Sequence, residues 1–166
     1  MYELNKTEYV NKLIGITKSD SGISGPELAK AHIELGTLLA KEMNYPPNDT
    51  TVVAVLRGGM FFAQGIYFEL GCKFQTFDPK TETFIRPKTK HVILVDSVIN
   101  SGKTISAIAA HNVDIACCVI NEKALPLIQN TLYTVRVLKN SFVGADVKTQ
   151  AGTVGPDTTM RLFNLI

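Results

Sequence analysis

Asp96 stands a few positions before Asn100, Ser101, Gly102, Lys103 and Thr104, so a carboxylate is followed closely by a small, polar, glycine-containing stretch. Ahead of it run four aliphatic residues, Val92-Ile93-Leu94-Val95, the pattern of a strand buried on both faces of a parallel sheet. Behind it, Ile105 to Ala110 suit the start of a helix. In such a unit ligands collect at the carboxyl edge of the sheet, and the first N–H groups and dipole of the helix attract an anion. The spacing therefore predicts a strand ending on an acid that points at a ligand, beside a loop that holds a phosphate. A second loop, Arg57-Gly58-Gly59, ends another apolar run, Thr51 to Leu56. Its guanidinium fork can bind a group gaining negative charge, and its glycines let the backbone come close to that group.

These side chains need a rigid frame. Ser24-Gly25-Pro26-Glu27 opens a helix, with proline where its missing N–H costs nothing, and Leu28, Ala31, Leu35, Leu38 and Leu39 recur at helical spacing towards Met43, ahead of Pro46-Pro47. Strand Thr51–Leu56 leads through the Arg57 loop into a helix from Met60 to Leu70, closed by Gly71. Ile115 to Ile120 reads as a third core strand, followed by a helix from about Glu122 to Asn130, and Thr134 to Leu138 as a fourth strand. Strands alternating with helices predict an α/β fold, a three-layer parallel sheet with flanking helices. Residues 73–90 read as an extended excursion, a hairpin over the site, and the tail from Phe142 to Ile166 as irregular.

With 166 residues, 45% of them hydrophobic, the chain suffices for one domain with a substantial core, 1–166. A formal net charge of +2, with Lys and Arg scattered among acids, leaves no basic stripe for nucleic acid. Cys72, Cys117 and Cys118 form no C-x-x-C pair, so reduced thiols are expected, the last two as packing residues. His32, His91 and His111 have no ligand spacing, and Phe61-Phe62 should fill the core. No run is long and apolar enough for a membrane span, and the expectation is a soluble, cytoplasmic protein.

Ser101-Gly102-Lys103-Thr104 invites a Walker-type kinase reading, but that pattern requires glycine where Ser97 stands. The stretch instead resembles the ribose-phosphate signature of phosphoribosyltransferases, in which an acid meets the ribose hydroxyls and a loop meets the 5′-phosphate. Asp96-Ser97 lacks the adjacent second acid of most members, as does the Asp-Pro of the uracil branch. Val53 to Met60 looks like the uracil branch's I-L-R-A-G segment, which often holds the peptide after its arginine, here Arg57-Gly58, in cis. Asp157 to Asn164 is similar to its G-D-A-G-D-R-x-F-G ending, with Asp157, Arg161 and Phe163 in register and Pro156, Thr159 and Met160 as departures. Glu27 to Met43 is similar to the family's F-R-x-x-x-x-x-x-G-x-L-L-A-x-E helix through Gly36, Leu38-Leu39-Ala40 and Glu42. The likeness runs from about Lys12 to Phe163, with a trimmed hood that offers Phe77-Asp78-Pro79-Lys80 and a helix after Thr104 cut short at His111-Asn112.

The resemblance implies a pentosyltransferase moving phosphoribosyl from phosphoribosyl pyrophosphate (PRPP) to uracil, with Mg2+ held mainly through PRPP and water. Arg57 and Asp96 would be catalytic. PRPP would contact Arg57, Gly58 and Gly59, then Asp96, Ser97, Val98, Ile99, Asn100, Ser101, Gly102, Lys103 and Thr104, and Asp157. Ala151, Pro156, Asp157 and Thr158 would border the base, and Lys80 or Arg86 would replace a missing hood cation. Small-molecule partners and a homo-oligomer are implied, with neither nucleic acid nor membrane. A sensor that keeps the pocket to regulate a partner, and transfer to a purine base, are the alternatives.

Overall fold

The computed structural model describes residues 1–139 and 143–166, without the side chain of Ala109. Six strands form one sheet: β1 (Tyr2–Glu3), β2 (Thr50–Val55), β3 (Lys73–Phe77), β4 (His91–Ile99), β5 (Asp114–Asn121) and β6 (Leu132–Leu138). They lie in the order β1-β6-β5-β4-β2-β3, every pair parallel. Parallel neighbours need crossovers, and the crossovers supply the outer layers. Helices α1 (Glu8–Thr17), α2 (Gly25–Ala40) and α3 (Met60–Leu70) cover one face, while α4 (Lys103–Ala109) and the 3-10 segment Glu122–Leu127 cover the other. This is the expected three-layer parallel α/β sheet.

Alternation along β2 divides the core. Val52 and Ala54 face Phe62 and Ile66 of α3, whereas Val53 and Val55 join Leu94, Ile105, Ile108 and Ile115 on the opposite side. All six β2 residues are buried, so neither face of the strand meets solvent. A side chain such as Phe62, completely enclosed, contributes about 1.5–3 kcal/mol by leaving water. Gly36 and Gly65 set the crossing of α2 and α3: a Cβ on Gly36 would collide with the Phe62 carbonyl, and one on Gly65 with the Ile33 carbonyl. Cys117, Cys118 and Phe62 are buried core residues; Phe61, half-buried, packs on Phe163. His32 is buried, its Nδ1 3.0 Å from the Leu28 carbonyl oxygen.

Several elements differ from the expectation. β4 does not stop at Asp96 but runs to Ile99, because Val98 and Ile99 continue the ladder with Val119 and Ile120. Residues 73–90 form no hairpin; they begin as edge strand β3, paired to β2, and continue irregularly from Asp78. The helix expected over 122–130 is the shorter 3-10 segment, interrupted by Pro126, which has no N–H to donate. Helix α1 went unread although Thr7 caps it, its Oγ1 accepting from the Val10 N–H at 3.2 Å. The tail is partly regular, with parallel strands β7 (Val143–Ala145) and β8 (Val154–Pro156) and helix α5 (Thr158–Leu162). Phe142, the expected start of that tail, lies outside the described residues. No described helix is long and apolar enough to cross a membrane.

Candidate active site

A cavity of about 520 Å3 opens at the carboxyl ends of β2, β3 and β4 and is closed on one side by the tail. Val55, Leu56, Arg57 and Gly58 reach it from the β2–α3 turn, and Asp96, Ser97 and Val98 from β4. Asn100 comes from the turn after β4 and Thr104 from the start of α4, Asp78, Pro79 and Lys80 from beyond β3, and Gly144, Asp157, Thr158 and Thr159 from the tail. The convergence is tight: a methyl built on Gly58 would sit 3.1 Å from Thr159 Oγ1 and 3.4 Å from Asp96 Oδ1. Turn, acid and C-terminal helix thus meet within the space of one small group.

Arg57 is exposed, and its guanidinium carbon lies 5.3 Å from the centroid of the Phe163 ring. The stacking holds the cation without consuming its donors in an ion pair; the ion pair among the described residues is Lys6–Glu3. The cis peptide bond here is Leu56–Arg57, one residue before the expected Arg57–Gly58. Asp96 is half-buried at the cavity floor. Burial pushes its carboxyl up to about 7, against the backbone N–H groups of Ser97 and Val98, which favour the ionised form. Near neutral pH the group can carry or release a proton, and a cation beside it favours the carboxylate. Ser97 Oγ is buried and has no hydrogen-bond partner among the described residues.

Not every expected residue reaches this space. Gly59 serves packing: its N–H donates to the Val55 carbonyl at 2.8 Å, and a Cβ there would collide with the carbonyl oxygens of Val95 and Val55. Ile99 is buried and turns towards a neighbouring cavity. In the phosphate loop, Gly102 takes φ +73° and packs against Ala124 and Leu127, which only a residue without Cβ does cheaply. Ser101 and Lys103 are exposed, the Lys103 N–H lying 3.5 Å from Ser101 Oγ, and neither lines the cavity. Ala151 is exposed and bridged to Val154, and Pro156 borders a separate hollow with Ile23 and Arg161.

Of the two hood cations, Lys80 lines the cavity. Arg86 does not, because its guanidinium donates to the backbone carbonyls of Pro87, Thr89, Lys90 and Asn112 and so clamps the excursion. Asp78, Gly144 and Thr159 were missed by residue-level reading. The signal for Asp78 was available: it follows Phe77, the end of a strand parallel to β2. Asp157 has two tasks, since its Oδ1 accepts from the Met160 N–H at 2.9 Å and caps α5. Arg161, 3% exposed, is structural; it donates to the Ile23 carbonyl and to Ser21 Oγ and ties α5 to the start of α2.

The cavity offers carboxylates that can accept from hydroxyls and two cations that can face an anion. Its acids, Asp78, Asp96 and Asp157, outnumber the cations Arg57 and Lys80. Such oxygens suit Mg2+, yet no three described His, Cys, Asp or Glu residues cluster as a metal site.

No protein-family model matches the chain, and no curated protein matches it. Solved structures do. The AQ2163 protein from Aquifex aeolicus is similar over 84% of this chain and 89% of its own, at 17% identity with a TM-score of 0.61. TT1426 from Thermus thermophilus is similar over 68% of this chain and 86% of its own, at 14% identity and 0.53. A hypoxanthine-guanine-xanthine phosphoribosyltransferase aligns over 66% of this chain and 76% of its own, at 16% identity and 0.49. The chain thus shares its parallel α/β fold with the first two proteins over most of their length.

Proposed function

We propose that this chain is a phosphoribosyltransferase that moves phosphoribosyl from PRPP to a ring nitrogen of a nucleobase, a pyrimidine of the uracil kind, and releases pyrophosphate. The observation that carries the reading is the meeting of Arg57-Gly58, Asp96 and the Asn100/Thr104 turn around one cavity at the carboxyl edge of the sheet. Breaking the anomeric C–O bond builds positive charge on the ribose and negative charge on pyrophosphate, so the site must position and stabilise more than attack. Arg57 stabilises the departing pyrophosphate, approached closely at Gly58. Asp96 holds the ribose hydroxyls, and Asn100 and Thr104 anchor the 5′-phosphate at the head of α4. Magnesium, when bound with PRPP, would offset the charge that three aspartates oppose.

The test is magnesium-dependent pyrophosphate release from PRPP with uracil, beside guanine and xanthine. Release with uracil supports the full reading, and release with a purine alone moves the base specificity. A sensor is favoured by one feature: Ser101, Gly102 and Lys103 do not line the cavity, which leaves a thinner phosphate cradle. Its signature is PRPP binding with no release for any base.

A further inference from the structure

Beside the first cavity lies a second, of about 670 Å3, and the two share Val98, Asn100 and Thr158 as a common wall. Its size suits a small heterocycle. Its charge is the reverse of its neighbour's: Lys18, Lys123, Arg136 and Lys139 line it, against one acid, Asp20. Arg136 stands on β6 opposite Val119, half-buried among sheet residues. Its Nε is buried and has no hydrogen-bond partner among the described residues. Leaving a buried charged donor unsatisfied is costly, and because Arg136 also lines the cavity, an anion bound there would offset the charge of its guanidinium. Burial also lowers the Arg136 pKa, which an anion bound against it would reverse.

Resting on the proposed transfer, we infer that this second cavity is the acceptor subsite and that the acceptor carries an acidic group, a carboxylated heterocycle held by Arg136 with Lys18 and Lys139. The carboxylate would seat on the Arg136 fork, with the ring turned to the shared wall and its nitrogen towards the ribose in the first cavity. In the transfer a ring N–C1 bond forms while the C1–O bond to pyrophosphate breaks. Pyrophosphate keeps the electron pair, and the ring N–H proton leaves to water. None of the three cations is asked to be acid or base.

Uracil and its ring-carboxylated counterpart, orotate, form a matched pair of probes. Titrated calorimetrically into the full chain, orotate should bind about tenfold more tightly than uracil or better, an advantage that shrinks with added salt. Arg136→Gln should remove the advantage while changing uracil binding far less. Should that variant fail to fold, Lys18→Gln, at the exposed end of α1, must still reduce it. Equal affinities, no binding of orotate, or parallel losses for both probes would overturn the inference. So would inorganic phosphate binding as tightly as orotate, which would assign the cations to a phosphorylated ligand. A separate PRPP titration keeps the failures apart: without PRPP binding the transferase reading falls, whereas PRPP binding with no orotate preference removes only this subsite.

Discussion

Two adjoining cavities share one wall and differ in sign. The first gathers Asp78, Asp96 and Asp157 around Arg57 and Lys80; the second gathers Lys18, Lys123, Arg136 and Lys139 around Asp20. An acid-rich cleft takes a polyphosphate only with a metal partner, whereas a cation-rich cleft takes an anion directly. Their frames differ as well. The first cavity is built mainly at strand ends fixed by the sheet ladder, and the second draws on α1, β6 and the tail. On the proposed reading this contrast divides the labour, with sugar phosphate on one side and acceptor on the other.

The contrast breaks most visibly at Arg57 and Asp96. Arg57→Ala and Asp96→Asn are each expected to lower kcat/KM for PRPP by about 100-fold or more while unfolding transitions stay cooperative, as steady-state kinetics with calorimetry will show. Wild-type activity in both would remove the first cavity from the chemistry. The two neighbouring glycines sharpen the point. Gly59→Ala forces a methyl against the Val95 and Val55 carbonyls and should cost about 1–3 kcal/mol in denaturant unfolding. Gly58→Ala adds a methyl at the cavity, 3.1 Å from Thr159 Oγ1, and should change stability by about 0.5 kcal/mol or less while weakening PRPP binding about tenfold.

Arg161→Ala tests what the cavities hold in common. It removes the hydrogen bonds that tie α5 to Ile23 and Ser21, and the tail supplies Thr158 to both spaces. A loss of about 1–3 kcal/mol is expected, with PRPP and acceptor affinities falling together. A fall confined to one ligand would show that the tail braces only one side.

The pH dependence of stability also has opposite signs on the two sides. Asp96 holds its proton more tightly folded than unfolded, so its contribution is complete below the ordinary carboxylate value of 3.8 and is lost as pH rises through about 7. His32, which lines the second cavity, is pushed down to about 4, first by burial and further by Arg161 and Arg136. Its contribution is complete above 6.5 and is lost as pH falls towards 4. Asp96→Asn should therefore gain more in Tm over wild type at pH 8 than at pH 5. In His32→Gln the decline of Tm below pH 6.5 should flatten.

The parallel sheet was legible because β2, β4 and β5 each carry an apolar run, Val52–Val55, Val92–Val95 and Ile115–Ile120, and such runs alternate with helical segments. Arg57, Asp96, Asn100 and Thr104 were legible because they sit directly beyond such runs, or within one that continues. What sequence could not convey was direction. Gly59 and Gly102 look like phosphate-loop glycines, yet one is spent on packing between β2 and β4 and the other on a left-handed turn against Ala124 and Leu127. Arg86 looks like a spare cation until its four backbone carbonyl partners are seen. The second cavity had no linear signature at all, since Lys18, Arg136 and Lys139 come from opposite ends of the chain and meet only through the order of the sheet.

The most direct measurement is a calorimetric titration of PRPP with magnesium into the wild-type chain and into Arg57→Ala. Saturable binding to the wild type, dependent on magnesium and weakened about tenfold or more in the variant, is the predicted result. Absence of binding to the wild type, or equal affinity in the variant, would contradict the assignment of the first cavity to the sugar phosphate.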